Sequence, residues 1–255
     1  MPAGYIFGVY FNPKTMKRHS LLTALLLVAL ATTLASFDFS STVLEQEDRN
    51  VGAFTKISLG YPANVELRRG NSHSVKVEGD KDQLNMLITE VKDGKLYIKR
   101  KDTGSWISWG SDDKRVDIYI TTPTLEAVSV SGSGKLVSTD TFKGASMDLA
   151  VSGSGSIKLQ ADVENLTSRI SGSGSIYLKG ESNSASTSIS GSGSLKGFDF
   201  ETKEATVKIS GSGSCEIKAK DSLKSTISGS GRVSYEGSPS VDSRVSGSGS
   251  VKRRS

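Results

Sequence analysis

The sequence predicts an all-β protein whose second half is a parallel β-helix, a β-solenoid of short coils, preceded by an N-terminal β-rich segment. Three observations carry this expectation. The phrase Ser-Gly-Ser-Gly begins at Ser131, Ser152, Ser171, Ser190, Ser210, Ser228 and Ser246, at intervals of 21, 19, 19, 20, 18 and 18 residues. The residue before each copy is apolar (Val130, Val151, Ile170, Ile189, Ile209, Ile227, Val245), and so is the residue five places after its first Ser (Leu136, Ile157, Ile176, Leu195, Cys215, Val233, Val251). Both apolar positions share the parity of the two glycines, and the serines take the other parity. Side chains alternate faces along a strand, so one face reads apolar-Gly-Gly-apolar and the other reads Ser-Ser-Ser.

A unit of about 20 residues cannot bury its own apolar face, and neighbouring units must stack to make a core. Strand alternation without helical periodicity makes each unit one coil of a solenoid. Glycine on the inward parity suits a sharp bend or a close approach of two walls. Stacking would align the serines in outward columns whose hydroxyls bond to each other or to water. A flexible Ser-Gly linker has no need of branched aliphatics at fixed offsets. A phosphate-cradling loop needs a strand-loop-helix setting and a Lys-Ser/Thr pair, and neither is present. The calcium-binding nonapeptide roll needs a recurring Asp where this chain has Ser, Lys or Arg.

In chain order, residues 1–35 read as an N-terminal extension and a secretory signal peptide. Met16-Lys17-Arg18-His19 is a positive patch, Leu21 to Leu30 is an apolar run too short to span a membrane, and Thr33-Leu34-Ala35 offers a small-residue cleavage pattern. The layout suggests that translation starts at Met16 and that the product is exported to the periplasm, the outer surface or the medium. No cysteine follows the apolar run, so a lipoprotein-type anchor is not expected, nor is a membrane span in the mature chain. Export would remove Lys14, Lys17 and Arg18 and no acid, which takes most of the formal charge of +5 with it. A nearly neutral remainder excludes an electrostatic nucleic-acid binder.

Residues 36–127 form the N-terminal β-rich part. Val65-Glu66-Leu67, Val75-Lys76-Val77, Leu96-Tyr97-Ile98 and Val116-Asp117-Ile118-Tyr119-Ile120 alternate apolar with polar, separated by turn signals at Tyr61-Pro62, Arg69-Gly70-Asn71 and Glu78-Gly79-Asp80. Asp93-Gly94 between two such runs predicts a hairpin. Asp80 to Glu90, with Leu84, Leu87 and Ile88, suggests one short helix. Residues 128–255 are the Ser-Gly-repeat β-helix, and the basic end Val251-Lys252-Arg253-Arg254-Ser255 reads as protection of an open β-edge.

The candidate chemistry is sparse. His73, the one histidine beyond the signal segment, lies in Gly70-Asn71-Ser72-His73-Ser74 and reads as a solvent-facing turn residue; any Ser-His-Asp triad would have to use it. Cys215 stands where other copies have Ile, Leu or Val and reads as a core residue. A lone histidine and a buried thiol make no zinc site. Asp112-Asp113 beside Lys114-Arg115 reads as local ion pairing. No catalytic residue, cofactor or metal site is expected. Parallel β-helices include polysaccharide lyases and hydrolases, but intervals of 18 to 21 leave almost no residues for a cleft beyond the coil. Trp106 and Trp109, in Ser105-Trp106-Ile107-Ser108-Trp109-Gly110, are the candidate contacts to a cell-surface glycan or another envelope protein. The alternative is that they cap the end of the solenoid.

The ordered set Phe54-Thr55-Lys56-Ile57, Asn64 to Gly70, Val75 to Asp80, Val91 to Ile98 and Val116 to Leu125, followed by the Ser-Gly series, resembles the head GIN domain family of Bacteroidetes, described as a putative autotransporter adhesin. The resemblance covers most of the chain from about Arg49 onward. It implies an exported, non-enzymatic β-helical envelope protein, an adhesin or a structural element. A polysaccharide-binding or polysaccharide-degrading β-helix protein is the alternative.

Overall fold

In a computed structural model, which describes residues 44–102 and 116–254, the chain winds into stacked coils that share one sheet. The strands are β1 (Glu45–Arg49), β2 (Lys56–Gly60), β3 (Ala63–Arg69), β4 (Ser74–Gly79), β5 (Leu87–Lys92), β6 (Lys95–Arg100), β7 (Val116–Thr122) and β8 (Ala127–Gly132). They continue as β9 (Lys135–Gly153), β10 (Ser156–Gly172), β11 (Ser175–Gly191), β12 (Ser194–Gly211), β13 (Ser214–Gly229), β14 (Arg232–Glu236), β15 (Ser240–Ser246) and β16 (Ser250–Arg253). One short helix, α1 (Lys81–Met86), lies between β4 and β5.

Each of β9 to β13 runs through most of a coil and contributes to two walls. The segment after a Ser-Gly phrase joins the first wall, in the order β1-β4-β7-β3-β9-β10-β11-β12-β13-β14-β16. The segment before a phrase joins the second, which runs β5-β6-β2-β8-β9 and on through β13 to β15. Stacking is parallel and phrase falls on phrase: Ser171 and Gly172 pair with Ser152 and Gly153 below and with Ser190 and Gly191 above. The first half of the chain therefore continues the solenoid, with β2, β3, β6, β7 and β8 all in parallel ladders. Only the N-terminal margin reverses direction. There β4 is antiparallel to β7, β1 to β4, and β5 to β6.

A single core runs from Phe54 to Val233. The apolar residues flanking the Ser-Gly phrases are buried in the first six copies, Ile157, Ile176 and Leu195 among them. The seventh copy differs: Val245 is 43% exposed and Val251 only half-buried, because among the described residues no further coil covers them. The two glycines of a phrase meet different demands. Gly172 has φ 109°, and a Cβ there would sit 2.7 Å from the Gly153 carbonyl oxygen of the coil below. Gly174 is buried, and a Cβ on it would run into the Val151 side chain and lie 2.6 Å from the Gly155 oxygen. That closeness lets Ser173 N–H donate to Gly153 O at 2.9 Å and Ser175 N–H to Gly155 O at 3.1 Å.

Two expectations need correction. The helix ends at Met86, and Leu87 to Lys92 form β5. Asp93 (φ 51°) and Gly94 (φ 68°) make the tight turn that fixes this segment against β6 as a hairpin, so pairing overrides the helical spacing. His73 is half-buried instead of solvent-facing. Its ring packs tilted against Phe54 with 4.9 Å between ring centres, and its Nδ1 lies 3.3 Å from the buried Thr122 hydroxyl.

The inward column Leu149, Ser168, Thr187, Val207, Ser225 mixes hydroxyls with aliphatics, and the hydroxyls of Ser168, Thr187 and Ser225 have no partner. Burying an unpaired hydroxyl costs about 1–3 kcal/mol. Thr187→Val should therefore stabilise the protein by about 1 kcal/mol in urea denaturation. Gly172→Ala should destabilise it by at least about 2 kcal/mol, since strain and overlap combine. Gly144→Ala, where nothing but one oxygen comes within 4.0 Å, should stay within about 0.5 kcal/mol.

Candidate functional site

The drift in repeat length has a physical address. β9 carries two residues more than β10 between Val137 and Thr141, where β10 needs only Leu159 between Lys158 and Gln160. β12 likewise bulges against β13 beyond Gly197, so that Phe198 to Phe200 face no partner residue on β13. Coils of 21 and 20 residues thus absorb their surplus at one corner, the far end of the first wall. There Phe200 turns into the core while Phe198 stays at the surface. A bulge re-aims side chains in this way at the cost of a few ladder bonds.

Beside that corner lies a furrow of about 270 Å³ lined by Lys158, Tyr177, Lys179, Lys196, Phe198 and Glu216, among others. Tyr177 is 38% exposed, with Lys196 Nζ 5.4 Å from its ring centre. Lys179 is tied to Asp199 at 3.0 Å, and the Arg254 guanidinium lies 4.6 Å over the Phe198 ring. The furrow belongs to a longer outward column on the first wall, Tyr119-Glu66-Val137-Lys158-Tyr177-Lys196, in which each residue is the register partner of the next. Tyr119, Val137 and Tyr177 are among the few large apolar side chains exposed in the described residues. Adjacent strands are about 4.8 Å apart, so apolar platforms recur at about 9.6 Å with a charge between each pair.

A second furrow, of about 350 Å³, crosses the coils at Asp162, Glu164, Glu181, Glu201, Lys203 and Lys220. Asp162, Glu201 and Lys220 are paired within the chain. Lys143 pairs with Asp162 at 2.7 Å, and Glu201 is held by Lys220 and by Lys218 at 3.0 Å. Hydrogen bonds from Lys220 and then Lys218 hold the Glu201 carboxyl below its ordinary range. This furrow presents no exposed aromatic ring, and the Tyr177 furrow is the better binding candidate.

The sequence-predicted contacts Trp106 and Trp109 lie outside the described residues, as do Asp112-Asp113 and the signal segment. Among the described residues no group of three or more His, Cys, Asp or Glu side chains is arranged to hold a metal. His73 serves packing, since the Thr122 hydroxyl beside it also reaches the Thr124 carbonyl at 2.9 Å and binds that strand end. Tyr177 and Phe198 were not singled out by sequence reasoning. The signal was present in the interval of 20 residues between Ser190 and Ser210 against the 18 that follow, which marks where a coil must bulge.

Solenoid, glycine ladder and column together define a parallel β-helical protein. The chain belongs to the family described as putative auto-transporter adhesin, head GIN domain, whose pattern matches residues 53–239. A putative adhesin from Bacteroides fragilis NCTC 9343 superposes with a TM-score of 0.77 at 22% identity, covering 84% of this chain and 98% of that one. A putative adhesin from Parabacteroides distasonis ATCC 8503 gives 0.69 at 22%, covering 84% and 98%. A putative lipid binding protein from the same organism gives 0.68 at 24%, covering 83% and 97%. None of the curated proteins compared with the chain matches it.

Cys215 is 1% exposed, and burial, with a smaller push from the Glu216 charge, raises its thiol to about 12. The thiolate is the nucleophile, so at pH 8 the folded protein should be inert to a thiol-specific disulfide reagent and react fully once unfolded. The linkage sign follows, because the raised folded value leaves the unfolded state binding fewer protons above about pH 9. Stability should fall as pH rises from about 9 to about 12, and Cys215→Val should remove that part of the slope in denaturation profiles.

Proposed function

We propose that this chain is an exported, non-enzymatic envelope adhesin that grips a cell-surface glycan along its first wall. The observation that carries the reading is the column Tyr119-Glu66-Val137-Lys158-Tyr177-Lys196, with apolar platforms on alternate rungs and the Tyr177 furrow at its wide point. Aromatic faces stack on the apolar faces of sugar rings, and Lys158 and Lys196, on either side of Tyr177, suit carboxylate or sulfate groups. A spacing of about 9.6 Å over two rungs matches the length of two rings in an extended β-linked chain. Family membership supports the adhesive role. Among the described residues no helix is long and apolar enough to cross a membrane. Residues 1–35, read as a signal peptide, support export.

Such a wall binds without reacting. A rigid ladder supplies orientation at little entropic cost, and many shallow contacts along one axis give avidity where a single furrow gives little. Trp106 and Trp109 are a second candidate contact, on the segment that joins β6 to β7.

On a glycan array the purified protein should favour extended acidic polysaccharides. Tyr177→Ala and Lys158→Ala should each weaken the best ligand by about five- to thirtyfold, equivalent to about 1–2 kcal/mol, with the melting temperature unchanged. Binding that survives both changes would sink the assignment to this wall. For Trp106→Ala and Trp109→Ala, weaker binding at constant stability supports a contact, and lost stability with binding intact returns the pair to a capping role.

A further inference from the structure

The two ends of the solenoid are unlike. At the C-terminal end β15 pairs with β13 and β16 with β14, and neither has a strand on its outer side among the described residues. Val241 and Val245 are exposed there, and Val251 and Tyr235 are only half-buried against the core. The last strand is basic: Lys252, Arg253 and Arg254 stand beside Glu236, which Arg254 contacts at 3.3 Å. At the N-terminal end the outermost strand of the same wall is β1, Glu45-Gln46-Glu47-Asp48-Arg49, which pairs only with β4. Its charges are partly met by Arg49, 2.9 Å from Glu47, and by Lys81, 3.5 Å from Glu45, and the surplus is acidic.

Strand direction matters here. β1 is antiparallel to β4 and β4 to β7, so β1 runs the same way as β7 and every later strand of that wall through β16. A second copy translated along the coil axis would therefore set its β1 beside β16 as one more parallel strand. On the other wall its β5 would meet β15 antiparallel. Aligning inward positions puts Glu45 and Glu47 across from Val251 and Arg253, and Gln46 and Asp48 across from Lys252 and Arg254.

We propose that the protein associates head to tail with copies of itself, the basic β15–β16 end of one docking on the acidic β1–β5 end of the next. The exposed valines and open backbone edges supply the attraction, and the charges set its polarity. A two-fold contact between two C-terminal ends would bring Lys252, Arg253 and Arg254 against their own copies, which repel. Because donor and acceptor ends differ, the contact is heterologous and propagates as an open filament. Each edge left unpaired is otherwise a liability.

The test is charge reversal with complementation, read by analytical ultracentrifugation of the purified protein at low ionic strength. Arg253→Glu/Arg254→Glu should be monomeric, and so should Glu47→Lys/Asp48→Lys, the residues set across from them. Mixed in equal amounts, the two variants should recover the wild-type size distribution, which misfolded variants could not do. Val245→Lys should shift the wild-type distribution toward monomer with an unchanged circular dichroism spectrum. Raising salt from about 0.01 M to about 0.15 M cuts the screening length from about 30 Å to about 8 Å and should weaken assembly. A wild-type protein monomeric at all concentrations, association indifferent to the β1 changes, or no recovery on mixing would each overturn the proposal.

Discussion

The structure depends on how near the glycine backbones of successive coils can come. Gly153, Gly172 and Gly191 stack in register, and a Cβ on Gly172 or Gly191 would lie 2.7 Å from the glycine carbonyl oxygen of the coil below. That corner therefore admits no side chain, and successive coils lock there through Ser N–H to Gly O bonds near 2.9 Å. The consequence is stiffness: one corner of every coil that carries the Ser-Gly phrase has a fixed length and a fixed conformation. In a stacked repeat each coil contacts only its neighbours. A substitution in one phrase therefore loosens two ladders, and the effect stays local.

A corner that cannot vary pushes variation elsewhere. Repeat lengths drift between 18 and 21 residues, and register shows the surplus leaving at the far end of the first wall, opposite β10 and β13. The bulge that brings Phe198 to the surface beside Tyr177 follows from holding the glycine corner constant. Surface relief on this wall arises where the coil has spare chain. A wall so built presents columns, and columns repeat their chemistry at the strand spacing.

Much of this was legible in the sequence because period-2 alternation and a fixed phrase both report on side-chain direction. Val151, Ile170 and Ile176 were placed inward by parity alone, and they are buried. The stack of phrase on phrase followed from the period. Other features were out of reach for physical reasons. The reversal of β4 is set by which free edge a strand finds, and local alternation is the same for parallel and antiparallel strands. Leu87 and Ile88 suit a helix and a strand equally, and the Asp93-Gly94 turn decided between them. The Tyr119-Val137-Tyr177 column joins residues far apart in sequence, visible only once registers are known.

The ends show what a solenoid must settle that a closed barrel need not. Each coil hides the apolar face of the one below, so the last coil on either side is left with a bare face and unpaired backbone. The N-terminal end resolves this internally: strands reverse, Leu84 of α1 closes on the core, and the outermost strand carries charge on both faces, Glu47 and Arg49 inward, Asp48 outward. Charge on the inward side of an edge strand opposes indiscriminate pairing. At the C-terminal end β15 and β16 have no outer partner among the described residues. Val245 occupies the position that is buried in the six coils before it, yet stands 43% exposed, and the adjacent strand bears only cations. One end is thus a finished surface and the other an unfinished coil whose backbone direction, side-chain parity and charge all match what the finished end offers.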